Sequence, residues 1–290
     1  MHRSPQTPPS LLSPLRYPGG KGRLYELILA LITTNQCSGG FYYEPFAGGA
    51  ACGLRLLFDN VVKKFFLNDA DPCIYSFWRA ALEETELFLK KIHEIPLTIE
   101  SWTAQKKIWK NNTEYSVLDV GFATFFLNRC NRSGIIANSG PIGGYDQLGK
   151  WKITARFNKK SLMQRIETLA QKKSDILLSN LDIIQFIKLH KNGLSRKNAF
   201  IFLDPPYFSA GTRLYFNTFN REDHVTLAEY LKKLNSVKWL LTYDKNDFIR
   251  ALYSWSVSYI VPISYSLQNK RSSAEYMFAS QLIEFPRHHG

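Results

Sequence analysis

Between Pro72 and Asn128 the chain stops alternating strands with helices and runs through amphipathic helices alone, with no glycine before Gly121. This change of period constrains the fold more than any other feature, because it separates two stretches that share one pattern. In those stretches, short apolar runs rich in aromatic and β-branched residues alternate with helical spacing. Residues 41–44 read as a strand leading through glycines to a helix from about Ala51, and residues 63–67 as a second strand ending at Asn68-Asp69. In the helical stretch Trp78, Leu82, Leu87, Leu89 and Ile92 share one face. Gly134, Gly140, Gly143, Gly144 and Gly149 then predict a turn-rich segment with a hairpin, followed by a strand over 151–157 and a helix over 162–172. Alternation resumes with a strand at 176–179, a helix from Ile183, a strand at 199–203, a helix at 223–234, a strand at 237–242 and closing strands at 257–264 and 275–282. The pattern predicts an α/β class fold, a doubly wound and mostly parallel sheet whose last two strands form an antiparallel edge.

The bulk numbers narrow the function classes. In a chain of 290 residues, 45% hydrophobic and 14% aromatic content predict a packed globule. No apolar run reaches the roughly 18 to 20 residues that span a bilayer, and residues 1–10 carry no apolar signal core. The expectation is a cytoplasmic protein with no membrane partner. Cys37, Cys52, Cys73 and Cys130 are scattered without close pairs or histidines at ligand spacing, which predicts reduced thiols and no metal site. Lys and Arg number 37 against 24 Asp and Glu, a net charge of +13, and nucleic acid is the leading polyanion for such a chain. Residues 150–200 concentrate the excess, with 12 bases against Glu167, Asp175 and Asp182.

The apolar run 199–203 leads into Asp204-Pro205-Pro206-Tyr207. An acid ending a buried strand stands where open α/β sheets bind ligands. Two prolines fix φ and donate no N–H, which leaves carbonyl oxygens free to accept, and the Tyr ring offers a planar base a stacking surface. Chemistry on the amino group of a nucleic-acid base suits this set. A surface Pro-Pro turn with the Asp as helix cap suits it too.

The four residues resemble the Asp-Pro-Pro-Tyr signature of amino-group DNA methyltransferases of the Dam-like N6-adenine class, whose methyl donor is S-adenosylmethionine. The resemblance implies that Asp204, Pro205, Pro206 and Tyr207 are catalytic. The Asp204 carboxylate, bordering the donor, and the Pro205 carbonyl would hold the two amino hydrogens of an extruded adenine, while Tyr207 holds the ring face-on. Other blocks follow in the family's order. The loop from Glu44 to Ala50 is similar to the family's cofactor loop, with Ala50 in place of its last glycine; the likeness implies donor contacts from Glu44, Phe46 and Gly48, and a plain strand-to-helix turn is the alternative. Asp69 matches the acid that accepts from ribose hydroxyls, although Asp69 or Asp71 would also cap a helix starting at Pro72. Arg16-Tyr17-Pro18-Gly19-Gly20-Lys21 lacks the spacing and the Ser or Thr of a phosphate loop. It resembles the family's N-terminal aromatic-Gly-Gly-Lys block, which implies donor contacts from Tyr17 and Lys21. Asp182 matches an acid near the donor's adenine and fits equally as an N-cap.

Residues 126–134 resemble the block that opens the family's recognition hairpin, with Arg132-Ser133-Gly134 where the family has aromatic-Asn-Gly. DNA contacts are thereby implied for Arg129 and Arg132, and the basic stretch adds Lys150, Lys152 and Arg156. A bracing role suits Arg129 as well. The basic loop 268–273 reads as a solvated hairpin or a backbone contact. In total the resemblance implies a Rossmann-like methyltransferase sheet with an inserted helical and hairpin domain. Residues 10–74 and 175–290 would form the discontinuous catalytic domain, and 75–174 the target-recognition insertion. The implied function is site-specific methyl transfer to N6 of a flipped adenine in double-stranded DNA, without a metal, with a cognate restriction endonuclease or other defence component as a further partner. Methylation of cytosine N4 or of RNA, and a non-catalytic DNA-binding protein on the same fold, are the alternatives.

Overall fold

The computed structural model describes residues 12–16, 24–208, 219–264 and 272–286. Helix α1 (Tyr25–Thr34) precedes β1 (Gly40–Glu44), α2 (Ala51–Phe58) and β2 (Val62–Asn68). Five helices follow: α3 (Pro72–Glu83), α4 (Thr85–Glu94), α5 (Ile99–Lys110), α6 (Val117–Cys130) and α7 (Lys159–Ala170). The remainder is β3 (Ile176–Ser179), α8 (Ile183–Leu194), β4 (Ala199–Leu203), α9 (Arg221–Lys232), β5 (Trp239–Asp244), α10 (Asp247–Leu252), β6 (Val257–Ser264) and β7 (Ser272–Ala279). These strands form one sheet in the order β3-β2-β1-β4-β5-β7-β6.

β1 pairs in parallel with both β2 and β4, so the chain leaves one half of the sheet and enters the other between these two strands. The loops after β1 and β4 therefore open side by side, at the switch point where such sheets bind ligands. β4 is buried along its whole length, as a central parallel strand covered on both faces must be. Its residues alternate between two cores. Phe200 and Phe202 join Tyr42, Phe65 and Leu240 on one face; Ala199, Ile201 and Leu203 join Tyr43, Trp239 and Leu241 on the other.

The helical stretch is continuous with the first of these cores. Phe77, Trp78, Phe88, Phe125, Leu162 and Ile166 belong to the same buried cluster as Tyr42 and Phe65, each aromatic side chain contributing about 1.5–3 kcal/mol by leaving water. The helix boundaries follow capping residues: Asp71 caps α3 with Pro72 at its first position, Ser116 caps α6, and Asn220 with Asp223 forms a capping box on α9.

Two expectations need correction. Residues 151–157 are not a strand, because only Ile153 and Phe157 are buried and the chain there makes a 3-10 turn over Ile153–Arg156. A period of four, not two, fits those two residues. The expected hairpin reduces, among the described residues, to an isolated bridge between Asn131 and Pro141. The last two strands do form the antiparallel edge: β6 is the outermost strand, and β7, between β5 and β6, pairs antiparallel with both.

Candidate active site

The parallel strands deliver Glu44, Asn68, Ser179, Asp204 and Asp244 to one rim of the sheet, or just beyond it. At β4 the chain passes directly from the strand into Asp204-Pro205-Pro206-Tyr207. The half-buried Asp204 carboxylate accepts at Oδ1 from Thr242 Oγ1, at 2.8 Å, from the neighbouring strand β5. Tyr207, also half-buried, donates its hydroxyl to Glu275 Oε1 at 2.5 Å. Glu275 is buried in β7 opposite Asp244. The Asp204 and Tyr207 side chains are thus held by β5 and β7, which fixes the carboxylate and the ring in orientation.

Across the switch point, Glu44 is buried at the end of β1 and accepts from the Gly53 N–H at 3.2 Å. Burial and then the nearby Asp204 charge push its carboxyl up to about 8, against the weaker opposing effect of the Gly53 N–H. The loop from Glu44 to Ala50 places Gly48 and Ala50 in the left-handed region, at φ +46° and +48°. Glycine takes this conformation freely and alanine at a cost, so Ala50 keeps a backbone shape that its side chain disfavours. Trp78 Nε1 from α3 donates to the Gly48 carbonyl at 2.9 Å and Ser13 Oγ donates to that of Gly49 at 2.5 Å.

Asn68 ties three loops together. Its Nδ2 donates to Pro45 O at 3.0 Å and Leu181 O at 2.9 Å, while its Oδ1 accepts from Ser179 Oγ and the Leu181 N–H. Next to it, Asp69 accepts the Gly48 N–H at 2.8 Å and the Asp71 N–H at 2.9 Å. Burial first, and Asp71 second, raise Asp69 to about 7, partly countered by these two N–H donors. Asp71, not Asp69, caps α3, so Asp69 remains directed at the glycine loop. Asp182 does act as a cap, accepting from the Ile184 and Gln185 N–H groups at the start of α8.

An aromatic wall borders the tetrapeptide. The buried His224 shares a hydrogen bond of 2.6 Å with Tyr243 Oη and packs against Phe208 and Phe219, and Phe219 meets Phe46 edge-on at 5.8 Å. Burial lowers His224 to about 4 against the pull of Asp223 and Asp244, which keeps its imidazole neutral. Tyr17 and Lys21 lie outside the described residues, as does most of the loop 268–273. Arg132, Lys150, Lys152 and Arg156 are exposed on the segment joining α6 to α7. Arg129 is turned inward instead, donating to Arg156 O at 2.9 Å and Pro14 O at 3.4 Å.

Sequence reasoning missed Thr242, Glu275 and His224. The one available signal was a lone acid, Glu275, directly before the apolar run 276–279. The role of Asn68 as the knot between loops was also invisible, since its partners are set by strand order.

Among the described residues no group of His, Cys, Asp and Glu is arranged to hold a metal, and no helix is long and apolar enough to cross a membrane. Residues 17–265 match the sequence profile of a family described as D12 class N6 adenine-specific DNA methyltransferase. Type II methyltransferase M.CviBI of Paramecium bursaria Chlorella virus NC1A is 26% identical over 214 residues, covering 73% of this chain and 76% of that protein. Modification methylase StsI of Streptococcus sanguinis is 25% identical over 285 residues, which is 90% of this chain and 40% of the relative.

Proposed function

Since the chain belongs to the D12 class N6 adenine-specific DNA methyltransferases, we propose that Asp204, Pro205, Pro206 and Tyr207 form its catalytic grip on adenine and that its methyl donor is S-adenosylmethionine. DNA is the substrate, and the family assignment sets aside the cytosine, RNA and non-catalytic alternatives. The observation that carries the proposal is the double tethering of the tetrapeptide, Asp204 by Thr242 and Tyr207 by Glu275.

An adenine amino nitrogen is a weak nucleophile because its lone pair is delocalised into the ring. The Asp204 carboxylate and the Pro205 carbonyl would accept its two hydrogens, favouring a pyramidal nitrogen with an available lone pair. Thr242 keeps the carboxylate in one orientation. Tyr207 would stack on the extruded base, and its anchored hydroxyl limits rotation of the ring.

The rim fits S-adenosylmethionine by its own chemistry. Consecutive small residues from Ala47 to Ala50 allow close approach to the backbone, and Asp69 retains acceptor capacity for ribose hydroxyls beyond its two backbone bonds. We assign Glu44, Phe46, Gly48, Asp69 and Asp182 to the donor pocket, bordered by Asp204, with Tyr17 and Lys21 added from the resemblance. When bound, the donor supplies an electrophilic methyl on a sulfonium. Residues 75–174 serve as the recognition insertion of the catalytic domain at 10–74 and 175–290, with Arg132, Lys150, Lys152 and Arg156 toward DNA. A DNA-modification role accords with the names of both relatives, a type II methyltransferase and a modification methylase; a cognate endonuclease and a cytoplasmic location belong to the same reading.

The test is Asp204→Ala. The variant is expected to bind the donor as the parent does and to lose at least about 100-fold in transfer of labelled methyl to duplex DNA, in line with removal of one preorganised polar group. Transfer near the parental rate would overturn the assignment.

A further inference from the structure

Four arginines from four separate segments meet at one corner of the insertion. Arg16 lies in the strap 12–16, Arg129 in the last turn of α6, Arg156 in the 3-10 turn and Arg165 in α7. They interlock through the main chain. Arg129 holds the carbonyls of Arg156 and Pro14; Arg16 Nη1 donates to Arg129 O at 3.4 Å and Asn131 O at 3.2 Å; Arg165 Nη1 donates to Ser13 O at 3.1 Å. Asn128 locks the strap by accepting the Arg16 N–H and donating to the Arg16 carbonyl, both at 2.7 Å.

No carboxylate neutralises this corner. All ion pairs between described residues lie elsewhere, and every one of the 24 Asp and Glu residues falls within the described part of the chain. Arg165 Nε is buried without an acceptor. Burial and the mutual repulsion of Arg165, Arg16 and Arg156 lower the pKa of Arg129. Like charges gathered at a cost to the free protein, with a buried donor left over, call for an anion.

We propose that Arg16, Arg156 and Arg165, braced by Arg129, bind a phosphate of the DNA backbone. The proposal rests on DNA being the substrate and adds a contact that is neutral to sequence. Planar guanidinium groups suit phosphate oxygens, and Arg156 is exposed on the same connecting segment as Lys150 and Lys152.

The experiment measures duplex binding by fluorescence anisotropy over roughly 50–200 mM salt with S-adenosylhomocysteine present, for the parent, Arg156→Gln and the double variant Arg156→Gln/Arg165→Gln. Arg156→Gln is expected to lower the slope of log affinity against log salt by about 1, and the double variant by about 2. Target and unrelated duplexes should weaken equally. Inorganic phosphate should compete weakly with the parent and not with the double variant. Unchanged slopes in Arg156→Gln, with its melting curve intact, would overturn the proposal, as would a loss confined to target duplex. Failure of the parent itself to methylate DNA would instead overturn the function on which the proposal rests.

Discussion

Glu44, which we assign to the donor pocket, carries a cost in stability. Its carboxyl sits about 8 in the folded protein against an ordinary value near 4.5. A group raised in this way gives its full stability below the unfolded value, and that stability is lost as pH rises from 4.5 through 8. Glu44→Gln keeps the neutral shape and the acceptor for Gly53. The variant is therefore expected to gain at least about 1 kcal/mol over the parent at pH 8 relative to pH 5, measured by urea denaturation at both. Parallel stability curves would refute the assignment of that slope to Glu44. The residue types of the rim were legible in the sequence: Asp204, Tyr207, Glu44 and Asp69 all reach the same edge. Their anchors were not, because Thr242 and Glu275 are separated from Asp204 and Tyr207 by 38 and 68 residues, and only strand pairing brings them together.

Helix crossings set the element scale. α3 and α6 pack so closely at Gly121 that a methyl group there would run into the Ser76 carbonyl oxygen and the Phe77 Cα. Backbone cannot give way as a flexible side chain does. Gly121→Ala is expected to cost about 1–3 kcal/mol and to lower the melting temperature by several degrees, checked by thermal denaturation followed by circular dichroism. The helical period of this stretch was plain in the sequence, but the reason for ending its glycine-free run at Gly121 was not, since that depends on where α3 crosses. The strand expected at 151–157 failed for the opposite reason. An alternation of residue types has no meaning without a sheet edge to pair with, and Trp151 remains 65% exposed.

The molecule as a whole has two cores, one on each face of the sheet, and the insertion is built into the first of them. Trp78, Phe125 and Leu162 are buried with Tyr42, Phe65 and Phe200, so the proposed recognition insertion shares its core with the rest of the chain. Unfolding by urea is expected to give one transition, coincident for tryptophan fluorescence and far-ultraviolet circular dichroism. An excised fragment of residues 75–174 should show no cooperative transition. Two separate transitions, or a fragment that melts cooperatively, would contradict a shared core.

What the sequence by itself determined is the chemistry carried by neighbouring residues: an acid, two prolines and an aromatic ring in tandem, a glycine loop after the first strand, acids able to cap helices at Asp71 and Asp182, and a basic excess suited to a polyanion. These depend on adjacency and period, which the chain states directly. The tertiary structure alone decided that β7 enters between β5 and β6, that Asn68 knots three loops, that Tyr207 hangs from Glu275, and that Arg129 turns away from solvent into a corner of like charges. Each of those joins groups distant along the chain, and only the packing of the sheet and its helices selects which distant groups meet.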